Sequence, residues 1–189
     1  MKSFSLVSSS FAFLLLVVLN SAFTLKPVAP KEWVATNADI RFSIKNLGLT
    51  TKGTFGGLNA RIVFDPSNLQ NNVIDANIAS NTINTDNGMR DGHLRKPEYF
   101  DVAKFDKIFL KATSFSKNSD GSFKGSFKLT LKGTTKDVTV PFTFTENGNT
   151  ATIKGSFSIN RLDYGVGSSS MSLSNDVTIN LNIGLSLKK

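Results

Sequence analysis

Arg90, Asp91 and His93 form the one short cluster in this chain that could move a proton or hold an anion. His93 is the sole histidine, and cysteine is absent. That removes disulfides, thiolate metal sites, a cysteine nucleophile and a lipid-modified cysteine anchor. One histidine is far from a zinc ligand set, so no metal site is expected. A catalytic role would cast His93 as base and Asp91 as its orienter. Yet side chains two apart on a helix do not face each other, and no Gly-x-Ser-x-Gly elbow marks a nucleophile. A second role is capture of a polar head group, with Arg90 set against a phosphate or similar anion. A third is architectural: Arg90 and Asp91 tie their segment to the fold by salt bridges and hydrogen bonds. All three stay open at this point, and the sequence assigns no catalytic residue and no cofactor.

The cluster sits in residues 86–100 (DNGMRDGHLRKPEYF), where Met89, Arg90, His93 and Leu94 recur at helical spacing. Asp86 is placed to cap the start, and Pro97 limits the end. This predicts a short helix or lid segment. Elsewhere the period is two, the signature of strands with one apolar face. Eight such segments follow one another. Ile40, Phe42 and Ile44 open the series, followed by Leu58–Phe64 and Ile74–Ile78. Leu110 and Ala112 then share a face, opposite Phe109, Lys111, Thr113 and Phe115. The fifth is the clearest: Phe123, Gly125, Phe127, Leu129 and Leu131 alternate with Lys124, Ser126, Lys128, Thr130 and Lys132. Val138–Phe144, Ile153–Ile159 and Val177–Leu187 complete the set. Asp120-Gly121 and Asn147-Gly148 are hairpin signals, and Asp65-Pro66 is a turn. Residues 161–172 (RLDYGVGSSSMS) read as a long loop.

The expected fold is all-β: an eight-stranded antiparallel, lipocalin-like barrel with one short helix or lid segment. Closure removes the exposed edges of such a meander, and eight strands leave room for side chains or for one small ligand. A lipid-embedded barrel would also alternate, but it needs aromatic girdles. The chain has only 2 Tyr and 1 Trp against 16 Phe. Phe lacks a polar handle and belongs in dry places, so the apolar face is assigned to the interior. Candidate cavity-lining residues are Phe42, Ile44, Phe127, Leu129, Phe142, Phe144, Phe157, Ile179 and Leu181. Two readings of this interior remain open. The rings fill a dry core, or Gly125 and Gly155 among them leave a channel.

Lys2, the apolar run Phe11–Leu19 and the small residue Ala22 compose a secretory signal over residues 1–22. The run is short for a bilayer span, although an uncleaved anchor is the alternative. Residues 23–31 form a linker and 32–189 the barrel. The chain is therefore expected to be exported, periplasmic or extracellular, with no nucleic-acid partner. The net charge of +8 is spread over alternate strand positions. That suits a solvated outer face, or peripheral contact with an anionic membrane.

Over residues 33–187 the chain resembles the YceI-like family of lipocalin-fold, polyisoprenoid-binding proteins. Phe42, Ile44, Asn46, Gly48, Gly53 and Phe55 resemble its opening hairpin. Arg90, Asp91, His93 and Leu94 match its Arg-Asp-x-His-Leu stretch, followed by Tyr99, Phe100 and Asp101. Gly125, Leu129, Thr130, Gly133, Thr135 and Lys136 resemble a later hairpin, and Arg161, Asp163, Tyr164 and Gly165 a late loop. Ala38 and Asn46 stand where the family often carries Ser and His. The resemblance implies export, a long apolar cavity and a prenyl-chain or fatty-amide-like ligand, bound without catalysis for transport, storage or protection. Alternatives are a filled-core structural or stress-related exported protein, and a lipid-modifying enzyme. Pairing into a homodimer is left open.

Overall fold

Alternation of apolar and polar residues builds nine strands in the computed structural model, which describes residues 30–189. They are β1 (Glu32–Asn46), β2 (Leu49–Phe55), β3 (Asn59–Val63), β4 (Val73–Ala79), β5 (Lys107–Lys117), β6 (Phe123–Leu131), β7 (Thr134–Asn147), β8 (Thr150–Asn160) and β9 (Leu173–Leu187). One helix, α1 (Gly88–Leu94), interrupts them between β4 and β5. The expected signal, residues 1–22, and most of the expected linker lie outside the described residues.

All neighbours are antiparallel, and β9 returns to pair with β1 from Trp33–Leu187 to Asn46–Leu173. Both β2 and β3 pair with β1 in one continuous register, Ile40 opposite Phe55 and Trp33 opposite Ile62. They are a single stave broken at Gly56–Leu58, so the closed barrel has the expected eight staves. The β2 half is not marked by alternation alone, although Gly53 and Phe55 fall in the opening hairpin that the family resemblance implies. Its sequence, LTTKGTF, carries too little apolar alternation to stand out.

The apolar rows point inward and the lysine rows outward. On β6, Phe123, Phe127, Leu129 and Leu131 are buried while Lys124 and Lys128 are exposed. One face assignment needs correction. A bulge between Ala112 and Ser114 reverses the parity of β5. Phe115 thereby joins the interior side of Leu110 and Ala112 instead of opposing it, and packs 5.5 Å from the Phe64 ring.

The interior is solid at one end. Phe64 is 0% exposed and meets the rings of Phe123, Phe142 and Phe144 at 5.2, 5.5 and 4.8 Å. Trp33 donates its indole N–H to the Phe64 carbonyl at 3.0 Å, which satisfies its one polar atom. Each buried ring contributes roughly 1.5–3 kcal/mol. This end lies among the β5–β6 and β7–β8 turns, the start of β1 and the end of β9. The opposite end carries the β1–β2 turn, α1 and the β8–β9 loop.

An apolar cavity beneath the helix

Above the aromatic plug the barrel is hollow. The cavity measures about 560 Å³, within the size range of small-molecule sites. Phe42, Ile44, Phe127, Leu129, Phe142, Phe157, Ile179 and Leu181 all stand on its wall. Phe144 does not. It pairs with Ile153 near the β7–β8 turn and packs edge-on to Trp33 at 5.6 Å, inside the plug.

The glycines are not what leaves the space. The Phe127 ring lies over Gly125, and a Cβ on Gly155 would meet the Pro141 carbonyl at 3.1 Å and the Phe142 Cβ at 3.2 Å. Both positions are already filled, which corrects the expectation that they open a channel. The room comes instead from small side chains: Ala60 and Ala76 face each other across β3 and β4 and both line the cavity. Two alanines in adjacent strands carry no distinctive signal in a sequence.

The helix closes part of the open end. Asn87 caps it, its side-chain oxygen accepting from the Arg90 N–H at 3.0 Å. Asp86, the expected cap, is one residue early and sits at φ +57°. Thr85 is the hub of the segment. Its N–H and its hydroxyl donate to Asp91 Oδ1 at 2.9 and 2.5 Å. Arg90 Nε donates to the same hydroxyl at 2.7 Å, and Nη2 to the Thr85 carbonyl at 2.7 Å. Arg95 adds bonds to the carbonyls of Asn81 and Ile83 at 2.9 and 2.8 Å. The next residue, Asn84, is bridged to Thr54 of β2 at 2.8 and 3.0 Å, which hangs the lid on the barrel wall. The tie is made of hydrogen bonds. Among the described residues no salt bridge involves Arg90 or Asp91.

Three of the five guanidinium N–H groups of Arg90 remain outside these bonds, and the residue lines the cavity mouth. His93 is also at the mouth and exposed. The hydrogen-bonded oxygen of Asp91 turns to Thr85, so the structure does not join Asp91 and His93 into a pair.

Family models and known structures bear on this geometry. A YceI-like domain model matches residues 32–185. The chain belongs to the YceI-like family. A UPF0312 protein of Yersinia pestis (strain Pestoides F) is 35% identical over 114 residues, 60% of this chain and 59% of the relative. The chain thus spans about three fifths of the length of that relative. Burkholderia cenocepacia BcnA superposes with a TM-score of 0.75 at 22% identity, over 78% of this chain and 95% of that one. A Saccharophagus degradans domain, described as polyisoprenoid-binding and implicated in plant cell wall breakdown, superposes at 0.62 with 14% identity, over 84% and 99%. At such identities these two structures establish the fold.

In this YceI-like chain a second arginine governs the mouth and was not among the expected site residues. Arg161 is buried on the cavity wall beside the β8–β9 loop. Its guanidinium donates to the carbonyls of Ser174, Val166 and Ser168 at 2.9, 2.8 and 2.9 Å. Burial holds its pKa below the usual arginine value. Backbone carbonyls replace a carboxylate here, so the loop is pinned without an ion pair. Tyr164 is buried behind the wall in a cluster with Leu129, Leu131 and Val166, and burial pushes its pKa up.

Proposed function

We propose that this protein binds an apolar chain molecule, an isoprenoid or similar long-chain lipid, inside the upper half of the barrel. The observation that carries the reading is the hollow itself. A barrel built only for rigidity would continue the aromatic plug to the top, because unfilled apolar volume costs stability. Here Ala60 and Ala76 leave space under a wall of Phe, Ile and Leu. A chain entering it gains roughly 0.8 kcal/mol per buried CH₂. The polyisoprenoid-binding description of the Saccharophagus degradans neighbour supports the same ligand class.

Arg90 sits where a polar head group would emerge, with N–H groups to spare. The role is binding rather than turnover, since Asp91 is committed to Thr85 and gives His93 no orienting partner. Residues 1–22 direct export in this reading, placing the barrel in the periplasm or outside the cell, where carriage, storage or protection of a lipid would be its work.

The test is native mass spectrometry of residues 23–189, purified without detergent from a membrane-containing host, followed by organic extraction. A stoichiometric adduct of prenyl-like or long-chain mass is expected. A bare protein mass, unchanged after incubation with quinones and polyprenyl phosphates, would overturn the reading.

A further inference from the structure

The described residues expose six large apolar side chains, and four of them stand around the cavity mouth. Leu47 is 78% exposed, Leu49 75%, Met89 79% and Met171 108%. The other two, Val34 and Phe109, lie on the outer face of strands and are less exposed. Single exposed hydrophobics need no explanation, but a set gathered at one opening does.

The mouth residues are presented, not left over. Leu49 belongs to the inward row of β2, paired with Asn46 and one step above Thr51 on the cavity wall. It continues the apolar lining past the end of the barrel. Leu47 is held at φ +50°, a conformation that favours glycine, yet a leucine stands there with almost no packing. Its N–H donates to the Ser172 carbonyl at 2.7 Å, which joins the β1–β2 turn to the loop bearing Met171. Met89 rises from α1 and itself lines the mouth.

Charge surrounds this rim in a useful way. Lys45 and Lys52 are exposed on the outer face of the same hairpin, diagonal neighbours in its register. Neither joins an ion pair among the described residues. Exposed acids stand on the other sides of this end: Asp86 and Glu98 flank α1, and Asp163 and Asp176 flank the β8–β9 loop, so the positive sector is the β1–β2 hairpin. Protruding leucine and methionine beside free lysines is the chemistry of an anionic bilayer surface. A second copy of the chain fits less well, because it would bring the same lysines and a net charge of +8 against themselves.

We propose that the mouth docks on an anionic membrane, with Leu47, Leu49, Met89 and Met171 among the upper acyl chains and Lys45 and Lys52 at the phosphates. An apolar ligand then passes between bilayer and cavity without crossing water. Docking rests on the rim alone, while its use in loading the cavity rests on the binding function proposed above.

The experiment is vesicle flotation of residues 23–189, whose barrel closes on itself within this span, with phosphatidylcholine vesicles with and without phosphatidylglycerol. The unaltered protein is expected to float with the phosphatidylglycerol vesicles. Leu47→Ser, Leu49→Ser, Met89→Ser and Met171→Ser combined should weaken binding by about tenfold or more, given the apolar area each side chain would bury. Lys45→Glu with Lys52→Glu should abolish the preference for phosphatidylglycerol while the apolar rim stays intact. Equal flotation of the serine variant and the unaltered protein would overturn the proposal, as would no flotation of the unaltered protein. A dimer by light scattering that the serine variant converts to a monomer would also overturn it, showing the rim to be a contact between copies. The native mass measurement, made on both proteins with ligand added from detergent, separates the two claims. An adduct retained by the serine variant leaves the cavity reading standing whatever flotation shows.

Discussion

The ring of Phe42 lies over Gly53, its partner across the β1–β2 ladder. A methyl group on Gly53 would strike that ring and would approach the Asn84 carbonyl oxygen to 2.8 Å. The ring can swing into the cavity, but the carbonyl cannot move, because it accepts from the Thr54 N–H. Gly53→Ala should therefore lower stability by about 1–3 kcal/mol, the range for overpacking. Urea unfolding checks this. Adding Phe42→Leu should recover only part of the loss, since the backbone clash remains. Full recovery would place the whole cost in the ring.

Asp91 is the buried end of the lid's anchor, and its carboxylate serves both donors of Thr85. Asp91→Asn keeps an acceptor for Thr85 but removes the charge that strengthens both bonds. A loss of about 1–3 kcal/mol is expected. A seven-residue helix is marginal on its own, so the effect should be local. Amide exchange at Arg90 and Asp91 should quicken, while the β6–β7 ladder keeps its protection. Equal loss of protection in both regions would mean the lid and barrel open as one unit.

Much of this architecture was readable from residue order, and the exceptions have physical causes. Lys124–Lys132 alternates without interruption, so β6 and its inward face were plain. Phe115 lies on the side opposite to its sequence parity because a bulge consumes one residue without changing composition. The cap fell on Asn87, next to Asp86, since both residue types cap well and only the backbone decides. Phe144 has the parity of a lining residue, but depth along the barrel follows from which turn it neighbours. The least legible feature was the void. Cavities are made by what is small, and Ala60 opposite Ala76 looks like any other inward pair. Arg161 was hidden for a related reason: its partners are carbonyl oxygens, which every residue carries.

Tyr164 ties stability to alkaline pH. Burial favours its neutral phenol, so its pKa in the folded protein lies above the unfolded value. Its contribution is therefore complete below the unfolded pKa of about 10 and fades as pH rises through the folded value. Thermal midpoints measured from neutral to strongly alkaline pH should fall less steeply in Tyr164→Phe. An unchanged alkaline slope would assign the loss to other groups. At neutral pH the variant should fold normally, because it retains the ring that packs on Leu129 and Val166.

The decisive test of the hollow is to fill it. Ala76 sits at mid-wall, flanked by Ala60 on β3 and Leu110 on β5, all three lining the cavity. In a packed core Ala→Phe would force neighbours off their rotamers and cost about 1–3 kcal/mol or more. Here the new ring has open volume ahead of it and apolar neighbours around it. Ala76→Phe should therefore stay within about 1 kcal/mol of the parent, while losing the co-purified adduct and binding of an apolar fluorescent probe. As a control, Lys128→Asp on the outer face should leave both intact, at the small cost of losing the exposed Lys128–Asp137 pair at 3.0 Å and of setting two exposed carboxylates opposite each other. If Ala76→Phe instead unfolds the barrel, the space is not available in solution. If it folds and still binds like the parent, the ligand occupies some other part of the molecule.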